Sequence, residues 1–224
     1  MSIEPFENRQ EAGRLLASAL SDHKGTDCIV LAIPRGGVVV GYEVALGLDL
    51  AMDVVVPRKI GAPEQPELAI GAVASWGDHE QILDEQSVRY LGVTEDYIEQ
   101  EVRAQLDEVN RRLLAYRGTP DPPDVAGRTV ILVDDGIATG YTTRAAALAL
   151  RRLGASRIVL AVPVAPPDAL EAIESYVDSA VCLRTPSPFM AVGYWYRDFS
   201  QVSDAEVVML LREARGRRIS GDIQ

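Results

Sequence analysis

The chain has 224 residues, enough for one domain, or one domain with an embellishment, with a sizeable core. Its 47% hydrophobic and 25% charged content is ordinary for a soluble protein, and no stretch approaches the roughly 20 apolar residues that span a bilayer. A net charge of −11 argues against a protein that tracks nucleic-acid phosphate, but a small phosphate-bearing ligand needs only a local cluster of donors.

Asn8 caps a first helix near Arg9–Ser21, on which Ala12, Leu15, Leu16, Ala19 and Leu20 share a face. "CIVLAI" (28–33) is a short continuous apolar run, the pattern of a strand buried on both faces. It ends in "PRGG" (34–37), and "VVVGYEVALGL" then has helical length. "MDVVVP" (52–57) is a second buried strand, closing on Arg58 and Lys59. Gly and Pro crowd the start of the next stretch, which reads as a mobile loop (about 58–85) with short extended pieces around Ala69–Ser75 and Gln81–Leu83.

A long helix follows, capped by Thr94, with Ile98, Val102, Leu106, Val109, Leu113 and Tyr116 recurring at steps of three or four. Gly118 and Pro120 stop it. "RTVILV" (128–133) is a third buried strand, and Thr143–Leu153 a helix ended by Gly154. "SRIVLAVPV" (156–164) is a fourth strand, a short helix lies near Asp168–Tyr176, and "SAVCLR" (179–184) is a fifth strand. The chain closes with a helix from about Ser203 to Arg215. Strands alternating with helices imply an α/β fold with a doubly wound, mainly parallel five-stranded sheet.

Other features are quiet. Cys28 and Cys182 each sit in an apolar run, as buried thiols do, and a disulfide is not expected. His23 and His79 are isolated, so no zinc site or His-dependent triad is visible. The N-terminal "MSIEPFENRQEAGRLL" is too polar for a secretory leader, and a cytoplasmic location is expected.

The chemistry concentrates in "VILVDDGIATGYTT" (130–143). A parallel strand delivers its C-terminal end to the ligand edge of the sheet, so Asp134 and Asp135 stand at the mouth of a crevice. The small residues after them lead into a helix N-terminus, where backbone N–H groups and the helix dipole favour an anion. Thr139, Thr142 and Thr143 add hydroxyls. One loop thus offers an anion cradle with two carboxylates just behind it, which suits a sugar phosphate. It is neither a Walker A loop, lacking Gly-Lys-Ser/Thr, nor a GxGxxG fingerprint.

This segment resembles the 5-phosphoribosyl-1-pyrophosphate (PRPP) signature of the type I phosphoribosyltransferases: apolar strand, two acids, then a Thr-Gly-x-Thr loop. "AIPRGGVVVG" is similar to the family's pyrophosphate loop, and "PFMAVGYWYRDF" resembles the C-terminal hood of its purine salvage members. The layout is similar to bacterial and archaeal members of undefined acceptor. The resemblance implies a type I phosphoribosyltransferase fold with a small hood (about 184–200) in a single domain. It implies a transferase that moves ribose 5-phosphate from PRPP to a nucleobase or other nitrogenous acceptor and releases pyrophosphate.

The roles it implies are specific. The backbone from Ala138 through Thr139, Gly140 and Tyr141 to Thr142, with Thr139, Thr142 and Thr143 side chains, would hold the 5-phosphate. Asp134 and Asp135 would meet the ribose hydroxyls, directly or through Mg2+ and water, and steady the positive charge that builds on the ribose. Arg35, Gly36 and Gly37, with Arg58 and Lys59, would take the pyrophosphate, and family members often hold a cis peptide in the first of these loops. The segment after Arg58 would close over the substrates. Phe189 would stack on the base. Partners are then small molecules, with neither nucleic acid nor membrane, and a homodimer is a candidate assembly.

The pattern departs at Ala138, where purine salvage enzymes usually carry an acid that faces the base; this puts 6-oxopurine specificity in doubt. Ala-Thr-Gly is reminiscent of uracil phosphoribosyltransferases, whose first acids are instead Asp-Pro. A non-catalytic PRPP- or nucleotide-sensing regulator on the same fold is the alternative. "PRGG" and "PRK" favour the enzyme. A phosphatase or kinase of another α/β fold is opposed by the missing Walker Lys and aspartyl nucleophile motif.

Overall fold

The computed structural model describes residues 4–74 and 80–221. All five expected core strands are present: β1 (Ile29–Ala32), β2 (Ala51–Val54), β6 (Thr129–Val133), β7 (Arg157–Val164) and β8 (Ser179–Arg184). They form one sheet in the order β2-β1-β6-β7-β8, every neighbouring pair parallel. Register sets Ala32 beside Val133 and Val54, so the loops that leave these three strands emerge side by side. Val30, Leu31, Val130, Ile131, Leu132 and Leu160 have no exposed surface. Each such side chain contributes about 1.5–3 kcal/mol by leaving water, which is why unbroken apolar runs become central strands.

Helices cover both faces. On α1 (Arg9–Ala19) the Asn8 side chain accepts from Glu11 N at 2.9 Å, the expected cap. Its buried face is Ala12, Gly13, Leu16 and Ala17, whereas Leu15 is 45% exposed and Ala19 also faces outward. The reason is α2 (Gly36–Leu48): a Cβ on Gly13 would lie 2.6 Å from Glu43 Cβ, so contact centres on Gly13 rather than on Leu15. The helix α5 (Tyr141–Arg152) begins two residues earlier than expected. The short helix near Asp168–Tyr176 is divided into α6 (Pro167–Glu171) and a 3-10 turn at Glu174–Tyr176. The closing helix α7 (Asp204–Gly221) runs past Arg215.

Where composition suggested a loop with short extended pieces, the chain builds a second sheet, whose last two strands contain the pieces expected near Ala69 and Gln81–Leu83. β3 (Arg58–Ala62), β4 (Gln65–Ala74) and β5 (Glu80–Leu83) pair antiparallel in the order β3-β4-β5, followed by a short helix, α3 (Glu85–Tyr90). Ser75, the end of the expected extended piece, lies outside the described residues. The Gly and Pro content has a use inside the sheet. A side chain at Gly61 would come 2.7 Å from Pro66 O, and the pairing shifts register on both sides of Gly61. Gly here admits the opposite backbone at a bulge.

The long helix α4 (Glu95–Arg117) ties the two sheets together. Thr94 accepts from Tyr97 N at 3.3 Å, and Gly118 ends the helix at φ 76°. Its apolar stripe divides: Ile98, Val102 and Leu106 pack on Ile60, Ile70 and Val73 of the small sheet. Val109, Leu113 and Tyr116 join the main core. The C-terminal segment forms a hood in which Phe6, Ala12, Val164 and Tyr196 are buried together. Both cysteines are free thiols; Cys28 is buried as expected, and burial pushes the half-buried Cys182 thiol up. No described helix is long and apolar enough to cross a membrane.

Candidate functional site

The loops after β1, β2 and β6 meet at the C-terminal edge of the main sheet around a cleft of about 480 Å³. Arg35, Gly36, Arg58, Lys59, Asp134, Asp135 and Thr142, far apart in sequence, all line it. The fourth wall is α4, through Glu101, Gln105 and Arg112.

The acid pair sits against the PRGG loop with no space between. A Cβ on Gly37 would lie 2.9 Å from Asp134 Cα, and one on Gly36 would strike the Asp135 carboxylate and lie 2.7 Å from Arg9 Nε. Glycine is therefore required at both positions for the two loops to touch. The Pro34–Arg35 peptide is cis, matching the family trait. Asp135 N donates to Asp134 Oδ1 at 2.8 Å, which turns that carboxylate back over the loop. Burial first, and the Asp135 charge second, push the Asp134 carboxyl well above the usual range.

Asp135 has its own counter-ion. Arg9 Nε donates to Asp135 Oδ2 at 2.7 Å, and the two side chains are only 10% and 16% exposed. Arg9 Nη1 donates to Ser200 O at 2.8 Å, and its guanidinium lies 3.9 Å from the Phe199 ring centre. Tyr196 Oη donates to Asp135 O at 2.6 Å, and burial raises that phenol strongly. The N-terminal helix and the hood thus clamp the end of β6 from one side.

In the loop that follows, Gly140 takes φ 77° at the start of α5, and a side chain there would lie 2.9 Å from Ile173 Cδ1. Ala138 and Thr139 are exposed, and Thr142 reaches the cleft. Thr143 behaves differently from its neighbours: it is 1% exposed, and its hydroxyl has no hydrogen-bond partner among the described residues. The Tyr141 hydroxyl points to the small sheet, donating to Asp84 Oδ2 at 2.7 Å. That bond, with those from Ser87 and Gln86, holds the Asp84 carboxyl down at about 2. A hydrogen bond therefore links the start of α5 to the residue that follows β5.

The opposite wall is cationic. Arg58 Nε donates to Gln105 Oε1 at 2.9 Å, and Gln105 Nε2 donates to Glu101 Oε1 at 2.8 Å. Arg35 is half-exposed and 3.8 Å from Asp204, which also accepts from Tyr116 Oη at 2.6 Å. Phe189 stands apart from the cleft, stacked on Trp195 with ring centres 6.5 Å apart and planes 20° from parallel.

The sequence reading missed Arg9, Tyr196 and the α4 residues. The signal for the last was present: Glu101, Gln105, Glu108 and Arg112 follow steps of four, three and four, a polar stripe beside the apolar one. No local pattern marked Arg9, whose partner lies 126 residues away. Among the described residues no three His, Cys, Asp or Glu converge as a metal cage. The carboxylates that line the cleft are Asp134, Asp135 and Glu101, oxygen donors of the kind a hard cation such as Mg2+ takes.

Residues 2–196 match the family described as the phosphoribosyl transferase domain. Two Mycobacterium tuberculosis proteins, Rv0571c and its counterpart in strain CDC 1551, are provisionally named phosphoribosyl transferases. They are each 44% identical over 209 residues, covering 93% of this chain and 47% of the relative. The chain therefore spans about half the length of these curated relatives. The crystal structure of TT1426 from Thermus thermophilus is similar at a TM-score of 0.78 and 42% identity, covering 93% of this chain and 98% of that one.

Proposed function

The chain belongs to the phosphoribosyl transferase domain family, and from that premise we propose that it transfers ribose 5-phosphate from PRPP to a nitrogenous acceptor and releases pyrophosphate. One observation carries this reading: the acid pair, the PRGG loop, Arg58, Lys59 and Thr142 line a single cleft. The 5-phosphate would sit on the backbone at the start of α5, where the helix dipole favours an anion. Asp134 and Asp135 would then face the ribose hydroxyls. As the bond from C1 to pyrophosphate breaks, positive charge grows on the ribose ring beside these carboxylates, that of Asp135 already held by Arg9 and that of Asp134 by the Asp135 amide. Charge fixed in advance costs no reorganisation when the reaction occurs.

Arg35, Arg58 and Lys59 would receive the negative charge of the departing pyrophosphate, the guanidiniums as planar forks. Asp134 and Asp135 would be the residues to hold Mg2+, which would supply further positive charge to neutralise the leaving group. The small sheet walls the cleft with Gly61 and Pro66, and would limit the approach of water to the ribosyl cation. Ala138 supplies no acid to face a base nitrogen, which supports an acceptor outside the 6-oxopurine class.

The test is pyrophosphate release from PRPP and Mg2+ across a panel of nucleobases and small amines. Release that depends on one acceptor class supports the transferase. Tight PRPP binding without release under any acceptor favours a PRPP-sensing protein on the same fold.

A further inference from the structure

We infer that Arg112, on α4, is a further pyrophosphate-binding residue, supplied to the cleft by a helix outside the five-stranded sheet. This rests on the PRPP reading above. Arg112 lines the same cleft as Arg35, Arg58 and Lys59. Its Nε is held by Glu108 Oε1 at 2.7 Å, while its terminal nitrogens make no hydrogen bond among the described residues. Glu108 is shared: Arg111 also binds it, through Nε at 2.6 Å and Nη2 at 2.8 Å. One carboxylate thus serves two guanidiniums and leaves positive charge over.

The charge of Arg112 is felt at Arg58: that guanidinium is disfavoured first by burial and next by Arg112, with Glu108 and Glu101 acting in the opposite direction. Gln105, itself neutral, anchors Arg58 through Nε and is anchored in turn by Glu101, so Arg58 is tied to the same helix that carries Arg112. Two guanidiniums held near each other, each tethered by Nε alone, suit a ligand with several acceptor oxygens and multiple negative charges. A diphosphate has both, whereas a lone ribose 5-phosphate, which the reading above seats at the start of α5, carries a single phosphate. Gln105 and Glu101 are positioning residues in this scheme.

The experiment is calorimetric titration of the full chain with magnesium pyrophosphate and, separately, with ribose 5-phosphate. Loss of charge-assisted hydrogen bonds in R112Q should weaken pyrophosphate by about 10-fold to 100-fold and leave ribose 5-phosphate unchanged. Pyrophosphate affinity equal to wild type, or equal losses for both ligands in a variant whose circular dichroism is native, would overturn the inference. If R112Q does not fold, E108Q reads the same contact from the other side. Freed of its carboxylate, Arg112 should bind pyrophosphate more tightly, and unchanged affinity counts against the assignment. Wild-type protein that binds neither ligand fails the PRPP reading itself, an outcome separate from the other two.

Discussion

Arg9 should hold the catalytic edge together although it belongs to the first helix. Substitution by Met keeps much of the length and apolar stem but removes the bond to Asp135 at 2.7 Å and the bond to Ser200 O at 2.8 Å. The pair is 10% and 16% exposed, so water replaces the guanidinium poorly, and Asp135 is left beside Asp134 without a counter-ion. Breaking a buried pair from one side costs about 3–5 kcal/mol. For a chain of this size each kcal/mol moves the melting temperature by about 2–4 °C, which gives a fall of roughly 6–20 °C. The assay is thermal unfolding followed by circular dichroism at pH 7, on R9M, D135N and the double variant. If the cost comes from the stranded carboxylate, the double variant should lose at least about 1 kcal/mol less than the sum of the singles, well outside the additivity expected of independent sites. A fall of under about 2 °C for R9M, or strict additivity, would refute the reasoning.

Three other outcomes follow from the same geometry. Folding raises the Asp134 pKa, so its contribution to stability is present below the unfolded carboxylate value and lost as pH rises through the folded one. D134N should therefore gain in melting temperature over wild type as pH rises above the ordinary carboxylate range, and a gap independent of pH would contradict the burial argument. Asp84 is the opposite case: held at about 2 by Tyr141 and Ser87, it contributes stability above 3.8 that is lost as pH falls toward 2. Y141F should unfold with a shallower acid limb and lose about 1 kcal/mol at neutral pH; acid curves parallel to wild type would exclude the link. G36A places a methyl group against the Asp135 carboxylate and Arg9 Nε and should cost about 1–3 kcal/mol together with pyrophosphate release.

How much of this was legible in the sequence differs by element. Central strands such as Val130–Val133 are buried on both faces, so their local composition already states their environment. The acid pair and phosphate loop were legible because they are contiguous, and Arg35 and Arg58 because each follows closely on an apolar strand run. In the small sheet the extended pieces near Ala69–Ser75 and Gln81–Leu83 were legible, but β3 and the first part of β4 were hidden because Gly and Pro there serve a bulge, and local rules read them as loop formers. The cleft's α4 wall was hidden by its second stripe, since a polar helix face is usually solvated unless another element lies opposite. Arg9 was illegible for a further reason: its role arises only when the first helix, β6 and the hood come together. Tyr141 and Thr143 belong to the expected loop by position, but their side chains are directed by packing, one to Asp84 and one into the interior.

The central claim is that Asp134 and Asp135 act on the ribosyl cation. It is tested most directly by single-turnover pyrophosphate release and PRPP titration on wild type and on D134N/D135N. Asparagine keeps size and much of the hydrogen bonding while removing charge, so an interaction that strengthens in the transition state should show in rate rather than in affinity. Release should slow by at least about 10²–10³-fold, with PRPP affinity nearly unchanged. An unaltered release rate, or a loss of PRPP binding that accounts for the whole effect, would contradict the assignment of these carboxylates to catalysis.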